Sequence, residues 1–478
     1  MKTELRILSQ SEREQVHERT LHLLANRGMR VDTAQGRMIL REAGAAVDEE
    51  TRGVRFPMEL VERSIAAATK EFALGGRRAD WSFALNAGGF SLCADGGSDF
   101  LLDRHTGERR AATFEDWLEV TRVLDALDDV GMYWCMVDSG FDWSTPVGMV
   151  DYLTHLFGTF GRHVQDSYDT LAAIPWLTRV LEVVFGSREE VRRRHPFSFL
   201  LTPASPLIVE EHYTDAWLAA RGYDIPVAVM PMPLMGATAP GSRLATLVQA
   251  NCEVLGTLCL VQAADPGVPF IYAPVVASMD PRSGRYSGGA MEHYVLSAAA
   301  TEMARHYGFP VLASGCGTDH FVPSLQAAYE KAMSALLVTL SWPDLLVGPG
   351  MLGGATVMSF EQLVMDVEVF RAARAAHEGI AVNEEAWLDG AVDRVDFGGS
   401  FLFEKSTREN VRRGEWATSR FGLHDTLAAW ERAGAPSTLE QARDEVERLL
   451  ASHEPEPLPD DVARALRELR RDAAAAAS

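Results

Sequence analysis

From about residue 114 onward, short and continuously apolar runs alternate with longer amphipathic ones. The strand candidates are residues 132–137, 163–166, 197–202, 227–232, 270–275, 311–314, 345–348 and 401–403. Helical stretches lie between them, for example 244–262, 294–307, 325–340 and 360–375. A strand that is apolar throughout must be covered on both faces, and intervening helices impose parallel pairing. Eight such units over roughly 300 residues predict an α/β fold, a closed (β/α)8 barrel. An open, doubly wound sheet would lead one to expect a Gly-rich phosphate loop after the first strand. Residues 132–137 are followed instead by Asp138-Ser139-Gly140-Phe141-Asp142.

The flanks read differently. Residues 1–113 form an N-terminal α/β extension, 114–435 the barrel and 436–478 a C-terminal helical tail. In the extension, Ser11 and Glu14 have capping-box spacing and open a helix that ends near Gly28. Further helices are expected over 34–42 and 58–68, and short strands over 72–74 and 83–85. Gly96 and Gly97 inside 92–102 predict a hairpin or bulge. In the tail, Ser437 and Glu440 repeat the capping-box spacing ahead of 442–450. Residues 454–459 are Pro- and acid-rich and read as a linker, and the Ala-rich run 472–478 reads as a frayed end.

The formal net charge of -22 argues against a nucleic-acid partner, which needs a basic face. No secretory signal opens the sequence, and no stretch reads as long and apolar enough to span a bilayer. The cysteines are Cys93, Cys135, Cys252, Cys259 and Cys316. Their odd number and scatter fit reduced thiols in a cytoplasm.

In a barrel, chemistry gathers at the C-terminal strand ends. Those ends supply Asp138 and Ser139; Gln165, Asp166 and Tyr168; Thr202 and Ser205; Met232 and Thr238; Met279 and Asp280; Cys316, Asp319 and His320; Met351; and Glu404 with Lys405. No G-x-S-x-G or H-E-x-x-H is present. A mouth rich in Gly, Met, Pro and aromatics with a few carboxylates suits an apolar or cationic ligand.

An ordered series of segments then becomes informative. Ser205-Pro206-Leu207 is followed by residues 235–240 (MGATAP), 249–255 (QANCEVL), 266–269 (PGVP), 279–284 (MDPRSG), Met291-Glu292, 326–331 (QAAYEK) and 359–366 (SFEQLVMD). Arg30-Val31-Asp32 and residues 103–110 agree with it. This order and spacing resemble the trimethylamine methyltransferase (MttB) superfamily over roughly residues 5–450. The resemblance implies a (β/α)8 barrel and methyl transfer to the cobalt of a corrinoid (cobalamin) on a separate protein, with no metal bound by this chain directly. The founding enzyme of that family uses pyrrolysine, whereas this chain has only standard residues. It therefore resembles the non-pyrrolysine members, which act on quaternary amines such as glycine betaine. Where the family usually has a small residue and a lysine, His320 and Phe321 stand here. Ser324 replaces an Asp, and Glu404-Lys405-Ser406-Thr407 replaces a His-rich run.

On that reading a quaternary ammonium leaves as a neutral tertiary amine, so no strong general acid is required. The enzyme's tasks are to hold the cation, exclude water and present one methyl. Aromatic faces hold such cations; the candidates are Tyr133, Trp134, Phe141, Trp143, Tyr168, Tyr272 and Phe321. Asp138, Asp166, Asp280 and Asp319 add attraction, and Arg282 or His320 would meet a substrate carboxylate. Asp319 and His320, on one strand-end loop, are the candidate catalytic pair, and Glu330 is a candidate for reaching the pocket. Glu253 reads as a structural carboxylate buried against Asn or Arg groups, and Glu292 as a similar one that could also reach the pocket. Cys316 and His320 have a C-x3-H spacing that could bind zinc, although no third ligand stands nearby. Asp103-Arg104-His105-Thr106-Gly107 falls one place short of a corrinoid-binding motif and reads as a tight turn. Two alternatives remain: a zinc-dependent thiol-activating methyltransferase and a non-catalytic homologue that binds quaternary amines. The expected partners are a corrinoid protein, a small quaternary amine and further copies of the chain, with neither nucleic acid nor membrane.

Overall fold

The computed structural model describes residues 3–476. Its barrel strands are β1 (Ser91–Cys93), β2 (Val130–Tyr133), β3 (His163–Asp166), β4 (Phe197–Leu201), β5 (Val227–Val229), β6 (Phe270–Tyr272), β7 (Leu312–Ser314) and β8 (Leu345–Val347). Each is followed by its covering helix: α1 (Phe114–Ala126), α2 (Pro146–Thr159), α3 (Ile174–Phe185), α4 (Glu211–Ala219), α5 (Arg243–Ala264), α6 (Met291–Tyr307), α7 (Leu325–Leu340) and α8 (Phe360–Glu378). All strand pairs are parallel, in the order β6-β5-β4-β3-β2-β1-β8-β7. A parallel bridge between Tyr272 and Val311 closes the ring. This is the (β/α)8 architecture that the alternation predicts.

Two assignments change. Residues 401–403 form not a barrel strand but a 3-10 turn, Phe401–Phe403, whose start Ser400 caps by accepting from the Leu402 N–H. All three side chains are exposed. The missing strand is β1, inside the segment read as a hairpin. Cys93 pairs with Val347 on one side and Met132 on the other, so β1 fills the gap between β8 and β2. The barrel therefore draws its first strand from within residues 1–113.

Strand parity sorts the core. Cys93, Met132, Leu200, Ala228, Ile271, Leu312 and Leu345 pack together inside the barrel. Alternate residues such as Tyr133, Val164, Phe199 and Tyr272 join the larger cluster beneath the helices. A hairpin, Ala73–Gly75 with Ser82–Ala84, brings Leu74 and Leu85 into the inner cluster and plugs the N-terminal end. The lumen is thus left to open toward the C-terminal strand ends.

Helix α5 corrects the membrane reading, because its 22 residues and the mean hydropathy of 1.5 over its most apolar window are enough to cross a bilayer. Here 89% of its most apolar window is buried in protein. The barrel lies on one side, and the helices Gln10–Asn26, Ala34–Glu42 and Met58–Ala67 lie on the other. A helix covered all round reads as apolar all round. The first of those helices is capped by Ser9 and Glu12, not by Ser11 and Glu14, whereas the Ser437–Glu440 capping box forms as expected. In the tail, Thr438–Ser452 packs on α8 and α1, and Asp460–Ala476 on α2 and α3. The run read as frayed stays helical through Ala476 with Ala473 fully buried; residues 477–478 lie outside the described residues.

Candidate active site at the barrel mouth

The ends of β7 and β8 are tied by a buried ion pair. Lys331 on α7 reaches inward, and its Nζ lies 2.8 Å from Asp366 of α8, with both side chains excluded from solvent. The ammonium also donates to the Cys316 carbonyl. Asp366 accepts from the Gly350 N–H at 2.8 Å and from Gln362 Nε2 at 2.7 Å. Burial pushes the Asp366 carboxyl up, and Lys331 pulls it back. The pair thus fixes the loops after both strands.

Beside it, Glu330 accepts from Thr318 Oγ1, from the Asp319 N–H at 3.0 Å and from Gln326 Nε2 at 3.0 Å. Asp319 in turn accepts from Ser287 Oγ and from the Gly288 N–H. The predicted residues Asp319 and Glu330 are therefore brought together, and they stitch the loop between β6 and α6 to the loop between β7 and α7. Both also line an open cleft of about 520 Å³ with Met279, Asp280 and Tyr329.

Inside the mouth, Asp95 stands two residues beyond Cys93, on the same lumen-facing parity. Its carboxylate accepts from the Gly96 N–H at 2.9 Å. Loss of hydration raises its pKa to about 6, against the hydrogen bond from Gly96 and the pull of Lys331. Burial, then the charges of Asp95 and Asp319, hold the Tyr286 hydroxyl neutral well above its usual range. Gln165, at the end of β3, is wholly buried, and its Nε2 makes no hydrogen bond. The sequence singled out neither Asp95 nor the unpartnered amide of Gln165. Apolar residues Leu92, Cys93 and Ala94 running into Asp95-Gly96-Gly97 are the signal for Asp95, masked by the hairpin reading of the glycines.

The other candidates scatter. Tyr133 is 1% exposed and faces the helices, its hydroxyl accepting from Trp117 Nε1 at 2.8 Å. Tyr272 likewise faces outward and donates to Asn251 Oδ1 at 2.9 Å. Asp166 lies between β3 and α2, accepting from Tyr152 at 2.8 Å and Tyr168 at 3.3 Å; burial lifts its pKa to about 6. Trp143 packs edge-on against Tyr152 and Tyr168, and Phe141 against Phe114 and Trp117. These side chains form an aromatic layer outside the barrel wall. Outward parity at Tyr133, Asp166 and Tyr272 puts them on the opposite face of the strand from the lumen. Trp134, one residue past β2, packs against the inner cluster as well as the outer one.

Asp138 is exposed and caps its own turn through the Gly140 N–H. Asp280 and Arg282 do line the cleft with Asp319 and Glu330, where they pair at 2.8 Å, and the Arg282 guanidinium holds the Asp280 pKa down to about 2. Arg282 is exposed. The His320 ring bonds back to the Val322 carbonyl at 2.9 Å, and half-exposed Phe321 lies over Gly353. Glu292 pairs with Arg243 and lines the same cleft as Asp319 and Glu330. Glu253 is buried, accepting from Ser205 Oγ, the Leu207 N–H and Gln249 rather than from Asn or Arg.

Cys316 is fully buried, its thiol pushed up to about 12 by burial and the Asp366 charge, which opposes metal ligation as thiolate. Among the described residues no three His, Cys, Asp or Glu side chains converge on a metal position. Asp103 is the hub of a turn, accepting from the His105 and Thr106 N–H groups, with Gly107 at φ 73°.

The fold is a (β/α)8 barrel plugged at its N-terminal end, with carboxylates gathered at the other. Residues 2–476 match the family described as trimethylamine methyltransferase (MTTB), and the chain belongs to it. It is 28% identical to the trimethylamine methyltransferase MttB of Desulfitobacterium hafniense over 454 residues, 95% of this chain and 91% of that one. It is 28% identical to MttB of Methanosarcina barkeri, covering 96% and 93%. The glycine betaine methyltransferase of Desulfitobacterium hafniense is 24% identical, covering 95% and 94%. Among solved structures, the hydroxylamine complex of MtmB superposes with a TM-score of 0.50 at 13% identity over 92% of both chains, a likeness of fold.

Proposed function

We propose that this protein is a methyltransferase that takes a methyl group from a quaternary ammonium compound of the betaine type and passes it to the reduced corrinoid of a separate protein. The observation that carries the reading is the charge of the mouth. Asp95, Asp280, Asp319, Glu330 and Asp366 stand there against Lys331, Arg282 and Arg285, of which Asp366 neutralises the first and Asp280 the second. A closed barrel with low-dielectric walls focuses that negative field on the entering cation. Relatives named for trimethylamine and glycine betaine methyl transfer fit such a cationic methyl donor.

The corrinoid would supply the nucleophile that accepts the methyl group. The tasks of this chain are to bind the onium group, exclude water behind the plugged end and leave one methyl directed outward. The departing amine is neutral, so no side chain need deliver a proton. Asp319 acts by fixing Ser287 and Gly288 at the rim, and Glu330 by fixing Asp319; His320 and Phe321 border the entrance. In cells the protein would work in the cytoplasm, as an oligomer.

The test is a methylation assay with cob(I)alamin and a panel of betaines, following loss of Co(I) absorbance. Substrate-dependent formation of methylcobalamin supports the proposal. Binding of a quaternary amine by calorimetry without turnover favours a non-catalytic binding homologue. Zinc-dependent turnover with a thiol acceptor favours thiol activation.

A further inference from the structure

We infer that Asp95, Trp134 and Gln165, at the ends of three adjacent strands in the mouth, form the subsite for a zwitterionic onium ligand, with Asp95 and Trp134 taking its cationic head and Gln165 its carboxylate. The inference rests on the methyl-donor reading above and assigns residues to it. Three independent observations carry it.

The first is register. Cys93 pairs with Met132, so two residues further on Asp95 stands beside Trp134. Tyr133 pairs with Val164, so Trp134 stands beside Gln165. Cys93 and Met132 both belong to the inner cluster, and side chains two residues on share that face. Gln165 meets the Ser198 hydroxyl at 3.5 Å, and Ser198 alternates with the inner residue Leu200. A carboxylate, an indole and an amide thus line one arc of the lumen.

The second is a missing side chain. A Cβ at Gly96 would sit 2.2 Å from the Trp134 ring. The indole therefore lies directly against the backbone next to Asp95, a position only glycine leaves open. An aromatic face next to a carboxylate is the arrangement that attracts an ammonium whose methyl groups block hydrogen bonding.

The third is the unpartnered amide. Gln165 is fully buried, yet its Nε2 has no acceptor. A buried donor without a partner is costly unless a ligand completes it. A carboxylate oxygen of the ligand would satisfy it, which selects zwitterions over simple quaternary amines.

The experiment compares tetramethylammonium, glycine betaine and the uncharged isostere of betaine, 3,3-dimethylbutanamide, by calorimetry on the full-length protein. Parallel cob(I)alamin turnover is measured with betaine. Wild type is expected to bind both cations and to bind the isostere at least tenfold more weakly. Asp95→Asn should weaken both cations at least tenfold. Gln165→Leu should weaken betaine at least fivefold and leave tetramethylammonium within twofold. Thermal melting checks folding of both variants, and the charge selectivity of wild type stands independently of either. If wild type turns over betaine but Asp95→Asn binds and turns over equally well, the subsite is overturned and the methyl-donor reading stands. If wild type binds no onium compound, both fall.

Discussion

Lys331 and Asp366 face each other at 2.8 Å with no solvent exposure on either side chain, although they lie 35 residues apart on neighbouring helices. Each belongs to a different segment of the series that first suggested the family, the 326–331 run and the 359–366 run. Their meeting explains why both segments matter: together they set the loops after β7 and β8. Removing one partner leaves the other charged and buried. Lys331→Met should therefore lower unfolding free energy by about 3–5 kcal/mol in a urea titration. The double replacement Lys331→Met/Asp366→Leu should be more stable than either single variant; a double variant less stable than both would show that the pair is not coupled.

Glu253 gives a stability signal with a definite sign. Burial lifts its carboxyl to about 7, from an ordinary value of 4.5. Between those values the folded state holds a proton that the unfolded chain has released. Its contribution to stability is thus present in acid and is lost as pH rises through about 7, a change of about 3 kcal/mol. Glu253→Gln should make the stability profile less steep between pH 5 and 7.5, measured as urea midpoints, with the remaining slope due to Asp95 and Asp166. An unchanged slope would place the titrating group elsewhere.

Gly96 is expected to tolerate no larger residue. Gly96→Ala drives a methyl into the Trp134 indole, and overpacking of this kind costs about 1–3 kcal/mol. The same change should weaken tetramethylammonium binding at least fivefold. A Gly96→Ala protein with wild-type affinity would separate the indole from the ligand.

Ligand affinity should follow the ionisation of Asp95. With its pKa at about 6, the carboxylate is largely neutral at pH 5 and charged at pH 8. Binding of an onium cation should strengthen by roughly tenfold across that interval, because only the ionised form attracts it. The neighbouring charges are Lys331 and Asp366, which compensate each other, and Asp319 across Tyr286. His163, deeper in the lumen, stays neutral, since burial holds its pKa at about 3. Calorimetry at five pH values checks the rise, and Asp95→Asn should abolish it.

The sequence by itself determined the barrel. Seven of the eight strand candidates stand in the ring because an all-apolar strand between amphipathic helices has few other places to go. It also placed Asp319 at a strand-end loop, where residues near a barrel's C-terminal face must fall, and named Glu330, on the helix that follows, as a carboxylate that could reach it. Only the tertiary structure decided the rest. Residues 401–403 are as apolar as a strand, yet the ring was already closed by β1, which the Gly96-Gly97 pair had disguised as a hairpin. Tyr133, Asp166 and Tyr272 look like mouth residues by position, but strand parity turns them toward the helices, while Trp134 and Gln165 turn inward. A single-residue step in register reverses the face of a side chain. Which aromatic meets a ligand and which meets a helix was therefore fixed only when all eight strands paired.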